Sequence, residues 1–443
     1  MQINPKIFKS YDIRGVYPKD LNEKTAYLVG QALVGYLKAK KVVVGRDSRQ
    51  SSPQLHQALI KGIISQGIKV IDLGLVPSEL IYFAVGRKGY DGGAMVTASH
   101  NPKEYNGIRI VNKGVEMQPG KKLLSFIEHQ SNFPIKAGGG VESKNLLGEY
   151  IRHVLSFIDI TRIKPLKVVI DAGNGMAGLV VPELFKHLPC QLIPLFFEPD
   201  GRFPNRPSNP LLAEAQPAAE KKVLAEKADV GFIFDGDADR VFLVTEQGNF
   251  VRGDITLLLM AQYFLEKEPG AAIAYNLICS RIVPEKIRYW GGRPLRTPVG
   301  FVNVSKTLRK NYGVVGGENS AHYCFRDNFH ADSGLIVLAT LLDIISLSNQ
   351  KISEMIETLN PYFKQERYFE IQNAEPILAL FKDHYATGQQ DELDGLTVQY
   401  PDWWFNARSS NTEPLLRLTA EAINEKLLYK KLEELTVLIS KFI

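Results

Sequence analysis

Residues 93–102 read Gly93-Ala94-Met95-Val96-Thr97-Ala98-Ser99-His100-Asn101-Pro102, a short apolar run that passes directly into a polar loop. A brief apolar run bounded by turn-forming residues reads as a buried strand, which puts the polar loop at its carboxyl end. The residues upstream repeat the plan. Ala26, Val29, Leu33 and Leu37 fall at helical spacing within 22–40, and Val42 to Val44 form an apolar run ending at Gly45. Leu55, Leu59 and Ile63 mark a helix after Pro53, and Val70 to Leu73 form the next strand. Helices alternating with apolar strands predict a mostly parallel sheet covered on both faces. Open sheets of this kind bind ligands beyond the carboxyl ends of their strands, where Ser99 falls. An isolated serine in a turn is more often a local hydrogen-bonding residue, so Ser99 gains weight only from other loops.

Downstream, a looser stretch with Pro134 and Gly138 to Gly140 separates this block from the next, which restarts at Lys167 to Asp171; the first boundary falls near residue 145. In the second block the strand Val230 to Phe234 delivers Asp235-Gly236-Asp237-Ala238-Asp239-Arg240. A third begins near Phe250, with a helix over Ile255 to Leu265, a strand over Ala272 to Tyr275, and Val314 and Val315 leading into Gly316-Gly317-Glu318-Asn319-Ser320-Ala321-His322. From about Gln365 the segments shorten, with strands over Leu396 to Tyr400 and Leu415 to Thr419. An amphipathic last helix follows, carrying Leu428, Leu432, Leu435 and Ile439. The predicted fold class is α/β: three similar mixed α/β sheet domains over 1–145, 146–248 and 249–362, and a smaller C-terminal α+β domain over 363–443.

Composition narrows the function classes. The chain has 443 residues, 45% hydrophobic and 23% charged, so its cores need no disulfide or structural metal. Three widely spaced cysteines without a CxxC signal neither a disulfide framework nor a zinc site and suit a reducing compartment. The net charge of +5 is spread without a basic tail, favouring a small anionic substrate at least as much as nucleic acid. No apolar run reaches signal-peptide or membrane-span length, so a cytoplasmic protein without membrane contact is the default.

Four loops carry candidate chemistry. Ser99 heads the first. In the second, three carboxylates at alternate positions suit a hard cation such as Mg²⁺, and no later glutamate completes a calcium hand. The bland reading is an acidic turn, but carboxylates crowded at a buried strand end repel unless a cation joins them. In the third, Glu318 and Ser320 are hydrogen-bonding groups suited to sugar hydroxyls, and His322 either titrates near neutrality or is a satisfied structural histidine. The fourth, Arg408-Ser409-Ser410-Asn411-Thr412-Glu413-Pro414, is a phosphate cradle or a polar hairpin turn. A rival GxGxxG, Gly173 to Gly178, follows the strand Lys167 to Asp171 with Glu198 some twenty residues on. It reads as dinucleotide binding or as a tight strand-to-helix turn, and a dehydrogenase would leave the other four loops without a task.

With these loops in this order the chain resembles the α-D-phosphohexomutase family along its whole length. Tyr11-Asp12-Ile13-Arg14-Gly15, the Ser99 loop with Tyr105-Asn106-Gly107, GRFPNRPSNP from Gly201, the Asp235 loop, Arg296-Thr297-Pro298-Val299-Gly300, the Glu318 loop and the Arg408 loop all carry the likeness. Within the family it is most similar to the bacterial branch acting on mannose phosphates, possible action on glucose phosphates included. The resemblance implies four domains around a central cleft and Ser99 carried as a phosphoserine. It also implies Mg²⁺ held by Asp235, Asp237 and Asp239 together with that phosphorylated Ser99. Glu318 and Ser320 would hold sugar hydroxyls, and Arg408, Ser410, Asn411 and Thr412 the phosphate not being transferred. Arg14 joins the substrate-binding set and Arg240 the catalytic set. Small-molecule hexose phosphates are the expected partners, hexose 1,6-bisphosphate the expected activator, and a monomer or homodimer the expected assembly, with no nucleic acid or membrane.

Three positions depart from the family pattern. Arg109 stands where lysine is usual; arginine stabilises charge but hardly serves as a base, leaving His322, the first choice, or His100 for proton transfer. Ala321 replaces a frequent glycine, a change expected to be tolerated. Ile278 stands where some relatives have an active-site lysine, and Arg281 nearby is the candidate to compensate for it. Glucose or glucosamine phosphates are the alternative substrates, and an inactive sugar-phosphate-binding protein the alternative of another class.

Overall fold

The computed structural model describes residues 3–130, 132–359, 361–409 and 415–442. Its first sheet has six strands in the order Ile13–Val16, Tyr105–Asn112, Gly92–Val96, Lys41–Arg46, Lys69–Leu75 and Gly140–Ser143. The last four run parallel and the first three pair antiparallel, so the sheet is mixed, as expected, with its parallel part built by helix-strand alternation. The edge strand Gly140–Ser143 lies in the stretch whose sequence looked loose. It is largely exposed and polar, and an edge strand of that kind needs no apolar run.

Two four-stranded sheets follow. One has the order Val241–Thr245, Val230–Phe234, Lys167–Asp171, Gln191–Leu195, and the other Arg293–Thr297, Ala272–Asn276, Val315–Gly317, Tyr323–Phe325. In each, parallel strands are joined by helices and one edge strand turns back antiparallel. The same device recurs three times. Gly92–Val96 pairs antiparallel with Tyr105–Asn112, Val230–Phe234 with Val241–Thr245, and Val315–Gly317 with Tyr323–Phe325. Each of the first three candidate loops is therefore the connection between two antiparallel strands, held at both ends by a sheet.

The fourth sheet, Phe363–Glu370, Leu415–Ala422, Trp403–Ser409, Leu396–Gln399, Gln389–Asp391, is antiparallel throughout. Its core is separate: Ile377 and Phe381 from the helix Glu375–His384 and Leu428, Leu432, Leu435 and Ile439 from the helix Glu425–Ile439 pack on the sheet. By contrast, one continuous core runs from Val43 through Leu359 and joins the first three units. At its centre the helix Gly334–Leu347 is buried along nearly its whole length, starting from Ser333, whose hydroxyl accepts the Ile336 N–H at 3.0 Å. No helix among the described residues is long and apolar enough to cross a membrane.

The glycine-rich turn at 173–178 serves packing. A Cβ on Gly173 would lie 2.5 Å from the Arg206 guanidinium, and one on Gly178 would lie 1.8 Å from the Phe197 carbonyl, so protein fills the space a dinucleotide would need. Cys279 and Cys324 are buried and Cys190 half-buried; all three are free, and burial pushes each thiol up, away from reactivity.

Candidate active site

The Ser99 loop is shaped by one arginine. Arg49, fully buried beside Asp47, donates to the carbonyls of Ser99 (2.8 Å), Asn101 (2.6 Å), Pro102 (2.7 Å) and Tyr105 (2.9 Å), drawing the loop around its guanidinium. Ser99 sits at φ +50°, in the left-handed region, with its N–H on Thr97 Oγ1 at 2.8 Å. Its hydroxyl donates to Asp235 Oδ2 at 2.9 Å and lies 3.2 Å from His100 Nδ1. The serine and aspartate loops meet backbone to backbone, since a Cβ on Gly236 would lie 2.7 Å from the Ser99 carbonyl. Glycine is required there by close approach. Ser208, from the segment after Gly201, also reaches Asn101 O at 3.1 Å. From the same segment Arg206 grips Asp171 and the Phe234 carbonyl, fixing the end of the strand that presents Asp235.

Asp235, Asp237 and Asp239 are all fully buried, and each offers a carboxylate oxygen within 4.8 Å of the others. Fixed cations compensate them: Arg240 Nε lies 2.9 Å from Asp235 Oδ2, and Arg109 Nη1 touches both Asp239 Oδ2 and, at 3.1 Å, Asp237 Oδ2. Asp237 Oδ2 also accepts from Ser78 Oγ, and from Thr97 Oγ1 at 3.3 Å. Burial pushes Asp235 above the ordinary carboxylate range, against Arg240. For Asp237 burial acts the same way but is outweighed by Arg109, the Ser78 hydroxyl and Arg240, so it is held below that range. Asp237 Oδ1 is buried without a hydrogen-bond partner. An all-oxygen donor set with an orphaned carboxylate oxygen fits a hard divalent cation.

The third loop closes on the same point. His322 is buried and stacks on Phe301 with centroids 4.6 Å apart; its Nδ1 lies 2.7 Å from Asp332 Oδ2 and 3.8 Å from Asp239 Oδ1. Burial would lower its pKa, but Asp239 and Asp332 outweigh that and raise it. His100 goes the other way, lowered well below the ordinary histidine value by burial and then by Arg240 and Arg14. Glu318 accepts from Gly300 N at 2.6 Å, Asn276 Nδ2 at 3.1 Å and Ser320 Oγ at 3.0 Å, so a buried carboxylate and a hydroxyl stand together. Arg14 joins the wall by donating to Asn101 Oδ1 at 2.7 Å and to Asp12. Arg408 is buried in the strand Trp403–Ser409, and its charge is felt by Tyr11 of the first unit. Ser410, Asn411 and Thr412 lie outside the described residues.

The structure therefore brings Ser99, Arg109, Asp235, Asp237, Asp239, Arg240 and His322 into one buried constellation, with His100 half-buried at its edge. Sequence reading missed Arg49, Ser78, Tyr82 and Asp332. Tyr82 OH stands 3.5 Å from Arg109 Nη1. Of these, only Asp332 had a usable signal: an acidic residue beside the serine N-cap of a strongly apolar helix. Arg281 does not compensate for Ile278. Its guanidinium is committed to the carbonyls of Pro401 and Tyr400, at 2.7 and 2.9 Å, and fastens the C-terminal sheet instead.

Three family models match in succession: phosphoglucomutase/phosphomannomutase alpha/beta/alpha domain I over residues 5–131, domain II over 148–248 and domain III over 252–362. The chain belongs to the phosphoglucomutase/phosphomannomutase family. The phosphomannomutase of Vibrio cholerae is 38% identical to it over 98% of both chains. The phosphomannomutase/phosphoglucomutase of Pseudomonas aeruginosa is 37% identical over 95% of this chain and 92% of its own. Among solved structures, a phosphoglucomutase/phosphomannomutase family protein from Burkholderia thailandensis superposes with a TM-score of 0.90 at 33% identity, covering 99% of this chain and 98% of its own. The family's enzymes are intramolecular phosphotransferases, and this chain carries their architecture and an acidic group able to hold a metal.

Proposed function

We propose that this protein is a phosphomannomutase that interconverts mannose 1-phosphate and mannose 6-phosphate, accepting glucose phosphates as well. The near full-length likeness to enzymes so named supports the substrate class. The observation that carries the chemistry is the buried Ser99 hydroxyl, 2.9 Å from a carboxylate of the three-aspartate group, whose members pair with Arg109 and Arg240. Phosphoryl transfer needs positioning and charge neutralisation above all, and this junction supplies both.

Ser99 acts as a phosphoserine. The bond between Ser99 Oγ and phosphorus breaks as a new bond forms to the free hydroxyl oxygen of a bound hexose monophosphate, giving hexose 1,6-bisphosphate. His322, held through Nδ1 by Asp332, is the first choice to take the hydroxyl proton, and Arg109 and Arg240 balance charge on the moving group. Asp235, Asp237 and Asp239, with Ser99, would hold Mg²⁺, which would supply neutralisation at the leaving serine oxygen. The bisphosphate then turns over and returns its other phosphate to Ser99, and free hexose 1,6-bisphosphate reactivates dephosphorylated enzyme. Glu318 and Ser320 hold sugar hydroxyls. Arg14 and Arg408, with Ser410, Asn411 and Thr412, grip phosphate and must accept the sugar both ways round. On this reading four domains, 1–145, 146–248, 249–362 and 363–443, each contribute one loop to a single cleft.

The test is ³¹P NMR of the protein with Mg²⁺ and catalytic glucose 1,6-bisphosphate, offered mannose 1-phosphate and glucose 1-phosphate separately. Conversion of both to 6-phosphates, with mannose preferred, is expected. Turnover that survives Ser99→Ala would overturn the mechanism.

A further inference from the structure

Beside the three-aspartate group lies a second set of ligand atoms with different chemistry. Asp239, His322 and Asp332 each present one within 4.8 Å of the other two, and all three side chains are more than nine-tenths buried. Asp332 Oδ1 and Asp239 Oδ1 have no hydrogen-bond partner, although Asp239 Oδ1 lies only 3.8 Å from His322 Nδ1. Burying two carboxylate oxygens unsatisfied around one imidazole is costly unless something completes them. A narrow crevice of about 20 Å³ between the first and third units, lined by Tyr82, Phe301, Arg309, His330 and Asp332 among others, reaches the cluster at Asp332. The donor set is one nitrogen and carboxylate oxygens. Mg²⁺ takes oxygen, whereas imidazole with carboxylate suits Zn²⁺ or Co²⁺.

We propose that Asp239, His322 and Asp332 form a second cation site that takes a transition-metal ion such as Zn²⁺ or Co²⁺, with Asp239 shared between it and the three-aspartate group. Filling it inhibits the mutase. Coordination through Nδ1 uses the lone pair there, so the neutral ring's single proton leaves Nδ1 and is carried on Nε2 instead, with no net release. A ring in that state has no free lone pair to accept the sugar proton. The binding claim stands apart from the proposed function, and only the inhibition claim rests on it.

The test titrates the full chain, saturated with Mg²⁺, with Co²⁺, following uptake by calorimetry and the visible d–d absorption of bound Co²⁺. Wild type is expected to take up one Co²⁺ per chain without releasing Mg²⁺. Asp332→Asn and His322→Gln should each weaken that uptake at least about tenfold, while their retained Mg²⁺ binding shows the fold intact. Co²⁺ that displaces Mg²⁺ one for one, Co²⁺ uptake indifferent to both substitutions, or no uptake beyond Mg²⁺ overturns the site. Mutase activity in the absence of Co²⁺ that falls as the site fills supports the inhibition. Activity unchanged at full occupancy overturns it. Co²⁺ binding as expected in a protein without mutase activity leaves the site standing and removes the proposed function.

Discussion

Arg49 gathers four carbonyls of the serine loop around a guanidinium that is out of contact with water, beside Asp47 and the Phe203 ring at 5.1 Å. Lysine cannot reproduce that fork, and it would leave loop carbonyls buried without partners and remove the guanidinium from Asp47 Oδ2. Arg49→Lys is expected to destabilise the protein by about 3 kcal/mol or more, read as a fall in denaturation midpoint, and to reduce phosphorylation of Ser99 by glucose 1,6-bisphosphate. Ala321 illustrates a smaller balance. It sits at φ +64°, a left-handed conformation that glycine adopts freely, which accounts for glycine being frequent there. Its methyl is fully buried in the main core, and that burial offsets part of the conformational cost.

The helix Ser78–Lys88 links the first unit to the metal-side loop through Ser78 and to the third unit through Glu79. Ser78 donates its backbone N–H to Asp237 O at 3.2 Å and its hydroxyl to Asp237 Oδ2, aiming the carboxylate. Ser78→Ala is expected to weaken Mg²⁺ binding several-fold by calorimetry, with Ser78→Thr restoring it. Glu79, fully buried, accepts the Leu335 N–H at the start of the helix Gly334–Leu347 and is pushed up to about 8. Burial is the main cause, opposed by the Ser333 and Tyr150 hydroxyls and that N–H, and Asp239 adds to the rise. The native state then keeps a proton that the unfolded chain loses near 4.5. This contribution is complete below pH 4.5, is lost as pH rises to about 8, and is constant above. At about 1.4 kcal/mol per unit it amounts to a few kcal/mol. Glu79→Gln should flatten the dependence of the melting temperature on pH between 5 and 8. An unchanged slope would show that Glu79 is ionised in the folded protein. The elements differ in how far the sequence announces them. The strands Val230–Phe234 and Gly92–Val96 and the helix Gly253–Lys267 are apolar runs with clear ends, and they are where the sequence puts them. Tyr105–Asn112 buries Ile108, Ile110 and Val111 but interrupts them with Asn106, Gly107 and Arg109, and Gly140–Ser143 is an exposed edge strand without an apolar run. Ser99, the three aspartates and His322 are legible because each stands in a polar loop directly after a buried strand, and three carboxylates crowd one of those loops. Arg49 and Ser78 are ordinary residues whose role exists only once distant loops meet.

At the scale of the whole molecule, one core joins the first three units, the first of which has a second core besides, while the fourth keeps its own and is joined by discrete polar ties. Arg281 donates to the carbonyls of Pro401 and Tyr400, Arg296 to Asp391 and Thr397, and Lys364 lies 2.9 Å from the fully buried Asp254. These contacts can be exchanged singly, unlike a continuous apolar interface, so the C-terminal unit is the one suited to move. Arg281→Ala is expected to raise KM for the sugar phosphates several-fold and to leave Mg²⁺ affinity unchanged. The contact between Ser99 and Asp235 spans 136 positions of chain. Translation runs from the N-terminus, so the serine leaves the ribosome well before the carboxylates that face it exist. A nascent chain stalled ahead of residue 235 should take no phosphate from glucose 1,6-bisphosphate, while one extended beyond the third unit should. The length of the growing polypeptide thus acts as a clock that withholds reactivity until the surrounding body has been made.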